Sequence, residues 1–496
     1  MSGSGAAPQP PSVAVLNEIL DRNYWVGQSP EHQQFAVNYV HAPSVAMPLD
    51  GPAGLKARLA VDAFGAIQQD PSSDVLGKVM LRVAGMAAQA PPEKLHLRLG
   101  TGRDHLYYLD LGRPDGRAVQ IGPGGWQICE RPPITFRRTN LTLELPEPVR
   151  GGSLDSARRL LNIEEHDAWV LYVACRIASL IPGITHPVEL VTGQAGTGKT
   201  GMTRVTSSWV DPASAMVSMP RDPRQWAAAG IGAYVLSVDN VSQILPWWSD
   251  LICKAASGDG WADRALYTNA DLFVASFRSV VILNGITFGA LRADLTDRAV
   301  MHRLTLPALR LSDDDLDRMW RQAHPEALGW LLDRTVEVLR AIWSAPRPES
   351  TSRLVKFAQV CEVLDAQWNS SCMRHWKNTQ GDLLEDLAEG DKVAVAIRGT
   401  IRCPWRGTSA QLLETLELGG QLGLAPTSAR LAGGWTPKYL SERLTRAETA
   451  LQSLGWLVER RRSNGVRMII LEPPAGAGGA GQDGTFQTPY GNLPDN

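Results

Sequence analysis

What this 496-residue sequence has little of narrows it first. It carries almost no charge excess: Lys+Arg 49 against Asp+Glu 51 leave a net charge of -2. Any nucleic-acid surface must therefore come from local charge and not from a globally basic body. Cysteine is sparse and scattered. The six, at positions 129, 175, 253, 361, 372 and 403, form no CxxC or CxxH and no even clustering, which argues against a zinc knuckle or a disulfide framework and fits a reducing cytosol. The first residues, MSGSGAAPQPP, lack the basic and apolar regions of a signal peptide. The longest apolar run, Ala168 to Ile181, is 14 residues and contains Arg176, against the roughly 20 that a membrane span needs. These absences point to a cytoplasmic protein with no membrane partner. What is present is ordinary for a folded chain: 44% hydrophobic and 20% charged residues exclude wholesale disorder, and the length implies about three domains.

Hydrophobic periodicity divides the chain. Residues 1–11 and 473–496 are Gly/Pro-rich tails with almost nothing to bury. Over 12–92 apolar residues recur at helical spacing (Val15, Ile19; Leu59, Ala63, Ile67; Val75, Val79), which predicts a helical region. Over 93–150 short alternating runs such as LHLRL, HLYYLDL and RAVQI are separated by Gly100–Thr101–Gly102, Asp115–Gly116 and Gly122–Pro123–Gly124–Gly125, the pattern of an antiparallel β module. Over 151–310 strand-like runs (188–192, 215–219, 234–238, 280–284) alternate with helical ones, implying a parallel, doubly wound α/β sheet. Residues 311–403 read as a helical lid or linker region, and 404–472 as a last compact unit. There is no internal repeat.

The strongest motif is GQAGTGKT, Gly193–Gln194–Ala195–Gly196–Thr197–Gly198–Lys199–Thr200, which follows a β-branched strand and precedes a helical segment. The glycines let backbone N–H groups turn toward a polyphosphate at a helix N-terminus. Lys199 would neutralise the β/γ-phosphates of ATP, and Thr200 would ligate Mg²⁺. YVLSVDN ends a strand in Asp239, the expected carboxylate on the Mg²⁺ side. VVILNGI ends another in Asn284, which could orient a water, or could be only the turn residue of an Asn-Gly pair. In LTDRAVMHRL, Arg298 is the candidate arginine finger, with Arg292 and Arg303 as competitors.

Near the C-terminus, Thr436 and Pro437 occupy the cap and first-turn positions of a helix with apolar residues at Leu440, Leu444, Ala447, Leu451 and Leu454, closed by Gly455. Two strands about Asn464–Gly465 then form a hairpin signal. Helix, helix and basic hairpin is the layout of a winged helix. Lys438, Arg443, Arg460, Arg461, Arg462 and Arg467 make it the place where DNA phosphate contact is expected, unless the wing serves protein contacts alone. No polymerase or primase active site is evident: LYYLDLG carries the single Asp110, not paired metal carboxylates. Priming would come from a separate primase or polymerase.

The order of phosphate loop, acidic strand end, Asn-ended strand and Arg resembles the superfamily-3 and AAA+ ring helicases, and over 155–345 the chain is similar to P-loop ATPases of phages and integrated elements often described as primase-associated helicases. The resemblance implies a P-loop NTPase core, a homo-oligomeric ring that is hexameric by analogy, and a pore hairpin at 257–275 with Arg264 as a DNA contact. The sequence departs from the pattern at Asn240, where many such ATPases carry a second acid that activates water, and Asn cannot be a general base. Either another carboxylate such as Asp250 or Asp263 reaches the water, or Asp239 does both jobs, or turnover is slow. Two functions follow: an ATP-dependent translocase on single-stranded or forked DNA, or a nucleotide-switched DNA-binding ATPase (initiator, loader or defence protein) that turns over slowly. A small-molecule kinase has no use for the basic C-terminal unit.

Overall fold

The computed structural model describes residues 12–474 except 214, 265–271, 276, 287, 289–290, 308–309, 343–352, 422–434 and 464–465, with backbone alone at some further helix and strand positions. Among the described residues no helix is long and apolar enough to cross a membrane.

The N-terminal part begins with α1 (Val13–Asn23), capped by Ser12, whose hydroxyl accepts from the Val15 N–H. Three strands follow, β1 (Tyr24–Gln28), β2 (Gln34–Asn38) and β3 (Val45–Pro48), then α2 (Leu55–Ile67) and α3 (Ser73–Gln89). The expected helical region of 12–92 is therefore interrupted by a sheet. The helical spacing belongs to its flanks, where Leu16, Leu20, Leu55, Leu59, Ala63, Val79 and Val83 form one core, whereas YWVGQ and QFAVN are short β-branched and aromatic runs that pair antiparallel from Tyr24–Asn38 to Gln28–Gln34. β4 (Leu95–His96) is followed by a four-stranded antiparallel meander of β5 (Leu99–Thr101), β6 (Tyr107–Asp110), β7 (Ala118–Gly122) and β8 (Gly125–Cys129), then by β9 (Thr135–Arg137). β4 and β9 leave the meander and complete the first sheet in the order β1-β2-β3-β9-β4.

After α4 (Asp155–Arg158), α5 (His166–Ala178) is buried from Trp169 to Ala178, as expected of an apolar segment too short to span a bilayer. β10 (Val188–Thr192) leads into α6 (Lys199–Ser208). α7 (Pro223–Gly232), capped by Asp222 with Pro at its start, precedes β11 (Val235–Val238). α8 (Pro246–Ser257), β12 (Trp261–Arg264), β13 (Leu272–Ala275), β14 (Val280–Gly285), α9 (Ala293–Thr296) and β15 (Ala299–Arg303) follow. The sheet runs β11-β14-β10-β15, with β14 parallel to both β10 and β11. The expected strand at 215–219 is absent among the described residues there; Val217 makes one isolated bridge to Val238. β12 and β13 pair antiparallel inside the segment expected to be a pore hairpin, while their connecting residues and the Arg264 side chain lie outside the described residues.

The helices α10 (Asp313–Ile342), α11 (Val355–Trp368), α12 (Cys372–Gly390) and α13 (Lys392–Thr400) fill the region expected to be helical. They do not behave as one lid. The chain forms two compact units, the first of residues 1–240, 251–286 and 302–373, the second of 241–250, 287–301 and 374–496. Within the second, Trp376 Nε1 donates to the Ala299 carbonyl at 2.8 Å and Gln380 Nε2 to the carbonyls of Thr296 and Asp297, which ties most of α12 to α9 and its surroundings. That unit ends with β16 (Trp405–Gly407), α14 (Ser409–Gln421), α15 (Pro437–Ser453), β17 (Leu457–Ser463) and β18 (Val466–Glu472), the strands ordered β16-β18-β17. α15 begins at Pro437, with the Thr436 hydroxyl accepting from the Tyr439 N–H, and buries Leu440, Leu444, Ala447 and Leu451 completely. The expected turn at Asn464–Gly465 lies outside the described residues.

Candidate functional site

Parallel strands present their carboxyl ends at one edge, where the connecting loops are free to hold a ligand. At that edge β10 runs into the loop 193–198, and Gly198, with φ +82°, caps α6. Two of the glycines are required sterically. A Cβ on Gly193 would stand 2.6 Å from Thr197 Oγ1 and 2.8 Å from the Leu304 carbonyl oxygen, and Gly196 takes φ +83°. Gln194, Ala195 and Gly196 are exposed, while Thr197 is buried and its hydroxyl donates to the Gln194 carbonyl at 2.9 Å. Lys199 Nζ donates to the carbonyls of Gly193 at 2.8 Å and Gln194 at 2.9 Å, so the ammonium lies inside the loop's own curve. Thr200 Oγ1 donates to Asp239 Oδ1 at 3.1 Å, which brings the hydroxyl at the start of α6 and the carboxylate at the end of β11 to one point.

Asn284 has a different environment from the one expected of a water-orienting side chain. It is 1% exposed. Its Oδ1 accepts from the Asn240 N–H at 3.0 Å and its Nδ2 donates to Thr203 Oγ1 at 3.0 Å. The side chain thus links the ends of β11 and β14 to α6 and holds Asn240 in the left-handed conformation, φ +56°. The Asn240 side chain is exposed. Of the carboxylates considered as bases, Asp250 pairs with Arg292 at 3.0 Å, and the Asp263 side chain lies outside the described residues.

Arg298, expected to reach a neighbouring subunit, has a side chain only 10% exposed, and its Nη1 is held 2.8 Å from the Asp294 carboxylate and 2.8 Å from the Asp294 carbonyl. A guanidinium in that position is committed to the preceding helix α9. Arg292 is the more accessible of the group, with a side chain 53% exposed; Arg303 is exposed as well. One cation escaped the sequence reading. Arg310 is exposed, and a Cβ on Gly196 would lie 3.0 Å from its Nη2, so its guanidinium lies against the glycine-rich loop of its own chain. Nothing in LPALRLSDDD distinguishes this arginine from a solvated one.

Elsewhere in the first unit, Cys175, Glu189 and His302, all buried, bring one donor atom each within 4.8 Å. The Glu189 carboxylate bonds to Arg176 and to His302 Nε2. With a guanidinium already neutralising the carboxylate, the trio reads as a buried polar brace of β10 and not as a cation site.

In the second unit the basic residues do not act alike. Lys438 is exposed, and Arg443 Nε donates to the Tyr439 hydroxyl at 3.1 Å. Arg460 reaches back to α15, donating to Thr445 Oγ1 at 2.8 Å and pairing with Glu448 at 3.3 Å; Arg461 pairs with Glu459 at 2.7 Å. Arg462 and Arg467 face each other directly across β17 and β18, both exposed. Like charges in that register repel, and among the described residues neither has a carboxylate partner.

Residues 154–386 match the family model of the actinomycete integrative conjugative element replication protein, and 393–483 match that of the AICE RepA C-terminal domain. The chain is therefore similar, over these two stretches in that order, to a replication protein of a mobile element. Among curated proteins none matches it. Of solved structures, the NrS-1 C terminal region superposes with a TM-score of 0.41 at 12% identity, covering 94% of this chain and 100% of that one. The JCV helicase superposes with a TM-score of 0.24 at 13% identity, covering 47% and 65%.

Proposed function

We propose that this chain is an ATP-dependent, ring-forming DNA helicase or translocase acting in replication of an integrative mobile element. The observation that carries the reading is the meeting of Thr200 and Asp239 at the carboxyl edge of the sheet, beside Lys199. A hydroxyl and a carboxylate so placed suit an octahedral Mg²⁺, which retains several waters and takes only one or two protein ligands. The loop fits a polyphosphate on the same grounds, since a side chain at Gly193 would fill its curve. When bound, Mg²⁺-ATP supplies the cleavable terminal phosphoanhydride. Lys199 and the loop amides hold its phosphates, Thr200 and Asp239 hold the cation, and Arg310 adds positive charge from the same chain. Asn284 positions the edge by fixing Asn240, α6 and β14 relative to one another. Asp239 is the carboxylate this geometry offers as base. Arg292, more exposed than Arg298, is the better-placed guanidinium to act across a subunit boundary.

The order α13, β16, α14, α15, β17, β18, with β18 between β16 and β17, supports a winged helix. Its Arg462–Arg467 pair and exposed Lys438 suit the phosphates of single-stranded or forked DNA. The match to a mobile element's replication protein favours such a role over a small-molecule kinase.

The test is ATP turnover with and without single-stranded DNA, for wild type and Lys199→Ala, with forked-duplex unwinding measured on the same preparations. DNA-stimulated turnover with strand separation, both lost in Lys199→Ala, is the expected result. Asn240 favours a second reading, in which nucleotide drives DNA binding and hydrolysis is only a reset. Tight ATP-dependent DNA binding with negligible turnover and no unwinding would replace the first reading with that one.

A further inference from the structure

The amino ends of the same strands border a second cavity, of about 540 Å³, far removed in chemistry from the glycine loop. Its floor comes from the residues that precede each strand: Pro182, Gly183 and His186 before β10, Tyr234 before β11, Phe277 and Arg278 before β14. The N-terminal module supplies the rest of the lining, among it Glu93, Lys94, His96, Arg103, Ile134 and Arg137. All of these residues belong to the first compact unit. The volume lies within the 300–1,000 Å³ usual for small-molecule sites.

The lining is built for an anion. It carries four cations, Lys94, Arg103, Arg137 and Arg278, against two carboxylates, Glu31 and Glu93. His96 and His186 add no charge near neutral pH: burial, with Lys94 nearby, lowers His96 to about 4, and burial, with Arg278 and Arg176 nearby, lowers His186 to about 3. Arg278 is held by backbone. Its Nε and Nη2 donate to the Ser257 carbonyl at 3.0 and 2.7 Å, and Gly258, at φ +82°, leaves it room, since a Cβ there would stand 2.6 Å from Nε. Two buried polar atoms at this cavity have no partner, Arg137 Nε and His186 Nδ1. His186 is 1% exposed. The Tyr234 hydroxyl donates to the Ser179 carbonyl at 2.8 Å, so at 3.3 Å it accepts from His186 Nε2–H, which leaves Nδ1 as an unsatisfied acceptor. The remaining wall is apolar and aromatic, from Leu95, Leu97, Ile134 and Phe277, the last packed against Gly230.

Cations and an aromatic, apolar surface in one lining are what a phosphorylated nucleoside requires, with guanidinium groups for the phosphate and an aromatic side chain for the base. We infer that this cavity binds a nucleoside monophosphate unit, at a site separate from the phosphate loop. The same chemistry is offered by a free nucleotide and by the 5′-phosphorylated end of a DNA strand.

The experiment uses the full chain carrying Lys199→Ala, so that the phosphate loop is disabled, titrated with dAMP and with tetrathymidylate bearing either a 5′-phosphate or a 5′-hydroxyl. Saturable binding of a phosphorylated probe is expected, weakened about tenfold when Arg278→Gln is added, as for loss of one charge-assisted contact. Because Arg278 also bonds the backbone, Arg103→Gln, on an exposed side chain, is the second variant and should weaken binding several-fold. Tighter binding of the 5′-phosphorylated strand identifies a strand end as the ligand; equal or tighter binding of dAMP identifies a free nucleotide, and either supports the site. The inference is overturned if neither phosphorylated probe saturates, if the 5′-hydroxyl strand binds as well as both, or if binding is unchanged in both variants.

Discussion

At the amino edge of the parallel sheet, Asp211 Oδ1 accepts from Arg98 Nε at 2.7 Å while its Oδ2 accepts from the N–H groups of Tyr234 and Val235 at 2.9 and 3.0 Å, and both charged side chains are buried. At the carboxyl edge, Lys199 bonds the Gly193 carbonyl and Thr200 bonds Asp239 at similar distances, but Thr200 is exposed and Lys199 and Asp239 are partly so. The same kinds of group are thus used for opposite ends. Buried, a charge pair has lost its hydration and each member depends on the other, so removing one is costly to the fold. Near water, each group retains an alternative partner, so its loss costs little stability and is felt by a ligand instead.

The largest test of this contrast is Arg98→Ala, which strands Asp211 in the interior and should lower unfolding free energy by about 3–5 kcal/mol, read from urea denaturation; a loss below about 1 kcal/mol would show that water replaces the guanidinium. Lys199→Ala should do the reverse, leaving the urea midpoint in place while ATP turnover falls by about 100- to 1,000-fold, the usual effect of deleting one preorganised charge-stabilising donor. If both parameters move together, the two edges are not separable. Asn284→Ala lies between them. It leaves Thr203 Oγ1 and the Asn240 N–H without their bonds, costing about 1–3 kcal/mol of stability, and should also reduce turnover by releasing Asn240 from its left-handed conformation; Asn284→Asp should restore more of the stability than of the rate. The smallest effect belongs to the C-terminal hairpin, where replacing Arg462 and Arg467 together with Gln should leave the fold intact and reduce the slope of log affinity against log salt by about 2 for single-stranded DNA. An unchanged slope would assign the hairpin to protein contact.

The sequence made the carboxyl edge legible because a glycine-rich strand-to-helix loop is encoded locally. Eight consecutive residues, preceded by a strand and followed by a helix, specify a loop whose backbone conformation needs glycine at fixed positions. Strand-end residues such as Asp239 and Asn284 could be placed by the alternation of elements alone. The same reasoning failed where burial decides. Periodicity could not show that Asn284 points inward, that Arg298 is paired with Asp294, or that Arg460 reaches back to Glu448, because an exposed and a buried polar residue look alike in a string of letters. The strands β1–β3 were missed for a related reason, being short runs between two segments whose helical spacing dominated the stretch.

The C-terminal unit illustrates how the two sources divide. The spacing of Leu440, Leu444, Ala447 and Leu451 after Thr436–Pro437 specified α15 and its buried face, since one helix needs only i, i+4 neighbours and a cap. That β16 joins β18 on the side away from β17, and that Trp376 and Gln380 tie α12 to residues 296–299, required pairings across long sequence separations that no local pattern encodes. By itself the sequence determined the glycine-rich loop between β10 and α6, the alternation that makes the sheet, the helical segments and the basic hairpin. Only the tertiary structure decided that Arg310 lies against the loop, that Asn284 is a buried brace, and that four cations and an unsatisfied imidazole surround one cavity at the sheet's other edge, because each of these is a meeting of residues from distant parts of the chain.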